Sequence, residues 1–211
     1  MDAEFWKQRW ASNQIGFHEP ATNPFLLAHF NKLTLAKDSR VFVPLCGKTL
    51  DIHWLLANGY RVAGAELSEI AVRQLFKELN AEPRIEKAGA LDHFSAPGID
   101  IFVGDIFELT AARLGHIDAI YDRAALVALP PTVRPKYTAH LRALTATAPQ
   151  LLICYEYDQS VANGPPFSIS NDEVRSHYRD HYTLSLLSSL DVPGGLKGKC
   201  PATEHVWLLT R

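Results

Sequence analysis

The sequence predicts an α/β fold: a mostly parallel sheet of seven strands with helices covering both faces. Three observations carry that expectation. Short β-rich runs alternate with stretches of helical periodicity, the first five of those runs are almost continuously apolar, and glycines or helix caps stand where one pattern gives way to the other. A strand buried on both faces reads as an apolar run, and parallel neighbours need a crossover that is usually helical.

The elements follow in order. Residues 3–14 (AEFWKQRWASNQ) place Phe5, Trp6, Arg9 and Trp10 at helical spacing, with Trp6 and Trp10 one turn apart on one face. Thr22 or Asn23 followed by Pro24 reads as an N-cap and a first-turn proline, opening a second helix to about Leu33. The first strand, RVFVPL at 40–45, breaks at Cys46-Gly47 and leads into the helix of KTLDIHWLLANG, ended by Gly59. RVAGAEL is the second strand and SEIAVRQLFKELN its helix, with Ser68 as cap and Glu66 and Glu69 near the positive end of the dipole. IDIFVGD and IDAIYD are the third and fourth strands, a helix follows at about 132–146, and QLLICYEYD is the fifth strand. Beyond the loop NGPPFSIS come a helix from Asn171 to Arg179, a strand YTLSLLSSL and the last strand EHVWLLTR. The segment VPGGLKGKCPA between those strands, rich in glycine and proline, predicts a long mobile connection.

Composition bounds the function. The 211 residues make one domain (1–211) with a surplus, at about 150 residues per domain. A hydrophobic fraction of 47% and a charged fraction of 21% are those of an ordinary globular chain with a sizeable core. A net charge of -2 lacks the concentrated positive charge that releases counterions from a phosphate backbone, so no nucleic acid is expected. No apolar run approaches the roughly 20 residues that span a bilayer, and the start MDAEFWKQRW is acidic and aromatic, so a cytoplasmic protein without a membrane partner is expected. Cys46, Cys154 and Cys200 form no C-x-x-C pair and read as reduced thiols; His177 and His181 stand at i and i+4 without a third ligand, so no metal site is expected.

Ligands of an open parallel sheet bind beyond the carboxyl ends of its strands, where strand order reverses. The tips to inspect are Leu45-Cys46-Gly47, Glu66, Asp105-Ile106 and Asp122-Arg123. Gly47-Lys48-Thr49 looks like the end of a P-loop, but the position that needs the first glycine is Phe42. The dinucleotide pattern G-x-G-x-x-G fails as well, because Gly47 stands alone in its turn. There remain one close-approach glycine and, 19 residues on, the acid Glu66 at the end of the next strand, suited to accept both ribose hydroxyls of an adenosine. Adenosine without pyrophosphate points to S-adenosylmethionine, with Asp105 and Ile106 where an adenine would lie. Structural roles compete for the same residues: a helix N-terminal acid for Glu66, a strand-end turn for Asp105 and Ile106, and a core stripe for Trp6 and Trp10.

Longer strings carry a resemblance. They are W-x-x-x-W at Trp6 and Trp10, Gly16-Phe17-His18, VFVPLCGKTLDI at 41–52, GAELSEIA at 64–71, GDIFEL at 104–109, IYDRAALVALPP at 120–131 and GPPFSIS at 164–170. On these strings the chain resembles the thiopurine S-methyltransferase family from FWKQRW to the last strand. The resemblance implies a Rossmann-like class I S-adenosylmethionine-dependent methyltransferase fold, a helical lid formed by residues 1–34, and a monomer acting on small aromatic or heterocyclic thiols, with selenium or tellurium species as alternative acceptors. It implies that Trp10 folds over the methionine end of the cofactor, and that Leu45 and Gly47 form the cofactor turn. Glu66 would be the ribose carboxylate, and Asp105 and Ile106 the adenine contacts. Arg123 would stand at the junction of cofactor and substrate, and Phe17 and the loop at Pro166 would wall the acceptor.

An arginine there favours a thiolate or binds a ring nitrogen; its competing role is an ion pair with Asp122 or a core acid. No acid and base stand paired in the sequence, and no general base is assigned. The chain departs from the family in VPGGLKGKCPA, where a longer arginine-containing segment is expected and only Lys197 or Lys199 offers a charge. Two other classes stay open, a nicotinamide-dependent oxidoreductase, disfavoured by the absent glycines, and a non-catalytic adenosine-binding module.

Overall fold

The computed structural model describes residues 3–211. Its elements are α1 (Ala3–Ala11), α2 (Pro24–His29), β1 (Arg40–Pro44), α3 (Leu50–Ala57), β2 (Arg61–Glu66), α4 (Glu69–Glu78), β3 (Arg84–Ala88) and β4 (Leu91–Ala96). There follow β5 (Ile99–Val103), α5 (Ala111–Leu114), β6 (Ala119–Arg123), α6 (Arg134–Thr145), β7 (Gln150–Tyr157), α7 (Asn171–Tyr178), β8 (Thr183–Asp191) and β9 (Ala202–Thr210).

Local chemistry sets the helix ends. Asn23 is the cap of α2, its Oδ1 accepting from the amides of Phe25 at 2.9 Å and Leu26 at 3.3 Å, with Pro24 opening the first turn. Ser68 caps α4 through the amide of Ala71. α3 ends in a Schellman motif: Tyr60 N–H donates to Leu55 O and Gly59 N–H to Leu56 O, and the φ of +80° at Gly59 is one glycine adopts freely.

All nine strands join one sheet in the order β3-β4-β5-β2-β1-β6-β7-β9-β8. The expected seven strands are therefore two too few. β3 and β4 form a hairpin turned at Gly89, whose φ is +71°, and pair antiparallel onto β5. The reason it was missed is physical: β3 is exposed along its length until Ala88, and β4 buries only Leu91 and Phe94, so neither gives an apolar run. Only β4 and β9 run against the other strands, so the sheet is mostly parallel in direction.

Each central strand feeds two cores. Val41, Val43, Val62, Tyr121, Leu151 and Ile153 pack with Leu26, Ile52, Leu55, Val72 and Leu75 from α2, α3 and α4. Phe42, Ala63, Ile120, Leu152 and Cys154 pack on the opposite face with Tyr137, Leu141, Val174 and Tyr178 from α6 and α7. Alternate residues of one apolar run thus serve opposite faces, the arrangement that a strand covered on both sides requires.

Two further details bear on the site. The connection 192–201 is tied across itself, Leu196 N–H donating to Cys200 O, and Leu196 and Cys200 are buried with Tyr157 and Ala202. Within the N-terminal 34 residues, Leu26, Phe30 and Leu33 are buried in the sheet core. Met1 and Asp2 lie outside the described residues. Among the described residues, no helix is long and apolar enough to cross a membrane.

Candidate active site

In this sheet the chain leaves β1 for β2 and β5 on one side and returns to β6 on the other, so strand order reverses between β1 and β6. A cavity of about 710 Å³ opens there. Trp10, Phe17, Leu45, Gly47, Glu66, Asp105, Ile106, Arg123 and Pro166 all line it. Residues scattered over more than 150 positions of sequence are thus brought to one site.

One end of the cavity is built on the β1 turn. Leu45 and Gly47 both adopt left-handed backbone, with φ of +46° and +52°. The turn is held by Glu66, whose Oε2 accepts from Gly47 N–H and whose Oε1 accepts from Ser68 N–H, each at 2.8 Å. Burial pushes the Glu66 carboxyl above its usual range, while the N–H groups of Ser68, Gly47 and Leu67 act in the opposite direction. Each carboxylate oxygen keeps a lone pair beyond the bond it makes here, so the carboxylate can both fix the turn and accept ribose hydroxyls. The two competing roles of Glu66 are compatible. Beside it at the end of β5, exposed Asp105 caps a short 3-10 turn by accepting from Phe107 N–H at 3.0 Å, and Ile106 is buried.

The N-terminal segment covers this end. Trp10 is buried, and its indole lies so close to Gly47 that a Cβ there would stand 2.9 Å from the ring. Phe17 meets both Trp6 and Trp10 edge-on, with centroids 5.5 Å apart in each pair. Where the segment rejoins the core, Asn23 N–H donates to Asp51 Oδ1 at 2.7 Å, and Tyr121 donates to Asp51 Oδ2 at 3.0 Å.

The other end is polar. Arg123, at the tip of β6 with only 10% of its side chain exposed, pairs with Glu19 of the N-terminal segment at 3.2 Å. Its expected alternative partner Asp122 points away and accepts from Leu126 N–H and the Tyr137 hydroxyl. Tyr155 on β7 and Glu204 on β9 are cross-strand partners in this wall, and the hydroxyl acts on the carboxylate. Pro165 and Pro166 close the rim; Lys197 donates to Pro165 O at 2.8 Å and Tyr157 donates to Pro166 O at 2.7 Å. Of the two lysines in the short loop, Lys197 lines this cavity and Lys199 a separate, more open one. Lys48 is engaged with Glu78 at 2.7 Å instead of waiting for a phosphate.

Glu19, Asp51, Tyr121, Tyr155 and Glu204 were not singled out in the sequence. Glu204 left one signal, an acid near the start of the terminal strand, ahead of the apolar run from Val206 to Leu209. Its pairing with Tyr155 depends on the β7/β9 register, which one strand alone does not reveal.

The fold has counterparts among solved structures. Two solved structures share the architecture over 99% of this chain at 17% identity. One is an S-adenosylmethionine-dependent methyltransferase of Anabaena variabilis, with a TM-score of 0.65 over 95% of that chain. The other is a didemethyltoxoflavin N-methyltransferase of Burkholderia thailandensis with bound S-adenosylhomocysteine, with a TM-score of 0.66 over 87% of that chain. Among sequences, a thiopurine S-methyltransferase of Xanthobacter autotrophicus is 58% identical over all of both chains. One of Gluconobacter oxydans is 49% identical over 98% of this chain and 94% of its own. The family model for thiopurine S-methyltransferase matches residues 1–211, and the chain belongs to that family.

Proposed function

We propose that the protein transfers the methyl group of S-adenosylmethionine to the sulfur of thiopurines and other small aromatic or heterocyclic thiols. The observation that carries this reading is one cavity holding, at opposite ends, the Glu66–Gly47–Ser68 cradle and the Arg123 wall. The residues fit the cofactor: Glu66 accepts ribose hydroxyls, Gly47 lets the ligand approach the backbone, and Ile106 offers an apolar face beside Asp105 for an adenine. When bound, S-adenosylmethionine supplies an electrophilic methyl carbon on a positively charged sulfur.

The chain's own residues do the rest. Trp10 offers a π face to that charge, an attraction of about 0.5 to 2 kcal/mol. The Arg123 guanidinium favours a thiolate over a thiol beside it. Phe17 and Pro166 hold the acceptor's flat ring, and the N-terminal segment acts as a lid that excludes water. In-line displacement needs nucleophile, methyl carbon and leaving sulfur collinear, so positioning two bound reactants supplies most of the rate. A monomer as the working unit belongs to the same reading, and three unpaired cysteines support a reducing, cytoplasmic setting.

An acceptor panel with a labelled methyl group tests the reading. Label is expected on 6-mercaptopurine and on thiophenol; label on selenium acceptors alone would reassign the substrate class, and no transfer to any of them would overturn the function. Arg123→Ala should lower turnover while S-adenosylhomocysteine still binds. Unaltered turnover would return Arg123 to a purely structural ion pair.

A further inference from the structure

We propose that Glu204 accepts the proton lost by a heterocyclic acceptor that enters as a thione, with Tyr155 fixing the carboxylate and Arg123 holding the ring. The inference rests on the methyl-transfer reading above and adds to it the tautomer that is bound and the group that takes its proton.

Sheet order divides the cavity. Strands lie about 5 Å apart, so Arg123 on β6 stands about 10 Å across the sheet from Glu66 on β2, and Glu204 on β9 about 19 Å from it. Glu204 is therefore at the far end from the ribose cradle, in the wall left to the acceptor. On β7, Arg123 is in register with Ile153, and Tyr155 stands two residues further along the same face, opposite Glu204. That puts the pair beyond the strand tip, over the mouth of the cavity that both residues line.

The carboxylate is not used up by the fold. Glu204 lines the cavity and is only partly buried, and Tyr155 is the hydrogen-bonding neighbour that acts on its carboxylate. A carboxylate has about four lone-pair sites, so one such neighbour leaves it able to accept a ring N–H from a ligand in the cavity. The groups acting on Glu204 are Tyr155 from β7, Arg123 from β6 and Glu19 from the N-terminal segment, and Glu204 in turn acts on Tyr121 and Cys154. Burial outweighs Tyr155 and Arg123 and pushes the Glu204 carboxyl above its usual range, toward the pH at which a proton acceptor works best.

The step balances. A heterocyclic thione carries C=S beside a ring N–H. Its sulfur forms a bond to the methyl carbon as the bond from that carbon to the sulfonium sulfur breaks, the electron pair staying with the leaving sulfur. The C=S π pair becomes the new S–C bond, the N–H pair becomes a C=N bond, and the proton passes to the Glu204 carboxylate. An arylthiol without a ring nitrogen ionises in water before it binds and makes no such demand. Arg123 then serves both acceptors, and Glu204 chiefly the thione.

Glu204→Gln keeps the shape and removes the proton acceptor. Single-turnover rates are measured across pH for pyridine-2-thione and for thiophenol, with calorimetric binding of S-adenosylhomocysteine as the check on folding. The expected result is a rise in the wild-type thione rate with pH that is absent from the variant, a loss of about a hundredfold for the thione, and a much smaller loss for thiophenol. Equal losses on both acceptors, or an unaltered thione rate with its pH dependence intact, would overturn the role of Glu204. Wild-type protein that methylates neither acceptor would overturn the methyl-transfer reading itself, whatever the variant does.

Discussion

Glu66 concentrates several demands on one carboxylate. It ties Gly47 of the β1 turn to Ser68 at the head of α4, and it is 6% exposed, so its removal leaves two buried N–H groups without an acceptor and, in the proposed cofactor site, a ribose without one. Glu66→Ala should weaken S-adenosylhomocysteine binding by about 1 to 3 kcal/mol, read by calorimetry; unchanged affinity would remove Glu66 from the cofactor site. Asp122 makes a different prediction. It is fully buried, and burial pushes its carboxyl from its ordinary 3.8 to about 6 despite bonds from Leu126 N–H and the Tyr137 hydroxyl. Between those values the folded state holds a proton that the unfolded chain has released, so stability is highest below about 4 and falls as pH rises through 6. Two units at 1.36 kcal/mol each amount to about 3 kcal/mol. Asp122→Asn lacks this titration. Its stability relative to the wild type should rise by up to about 3 kcal/mol between pH 4 and pH 7 in urea unfolding, and a difference that does not change with pH would contradict the assignment.

At the scale of elements, the β1 turn and α1 are one device. Gly47 is required twice, by its φ of +52° and by the indole of Trp10 where a Cβ would stand. Gly47→Ala should cost about 1 to 2 kcal/mol from the backbone alone, plus the displacement of Trp10. In a Trp10→Ala background the second part vanishes, so the double variant should lose less than the sum of the singles, by about 0.5 kcal/mol or more. Strict additivity of the melting data would mean that the ring does not press on the turn. These elements also show what a sequence discloses. β1, β2, β5, β6 and β7 were legible because burial on two faces leaves an unbroken apolar run, and the turn was legible because a glycine must follow the strand. The β3/β4 hairpin was not, because RIEKA lies in solvent and LDHFSA buries one residue in three. The cradle and Arg123 were reachable as strand tips, whereas the Glu19–Arg123 and Tyr155–Glu204 pairs come from tertiary register that local periodicity does not encode.

For the whole molecule, the proposed lid differs in kind from the body it covers. α1 buries only Trp10, and the contacts that hold the segment include the Glu19–Arg123 pair and the buried Asn23–Asp51 bond. Glu19 is half exposed, so its ion pair is worth little in water. Few buried apolar contacts give a low free energy of local opening, while strands in the centre of the sheet open only with the whole fold. A ligand seated between Trp10 and the Glu66 cradle adds contacts to the inner face of α1 and adds none to the β3/β4 hairpin at the sheet edge. Saturating S-adenosylhomocysteine should therefore slow amide exchange in residues 5–14 strongly, while leaving that of 84–88 close to its rate without ligand. Trp10→Ala should weaken the protection of 5–14 without abolishing ligand binding, since Glu66 and Gly47 remain. Equal slowing at both places would mean that binding tightens the fold as a unit, and no slowing in 5–14 would mean that the segment is body and not lid.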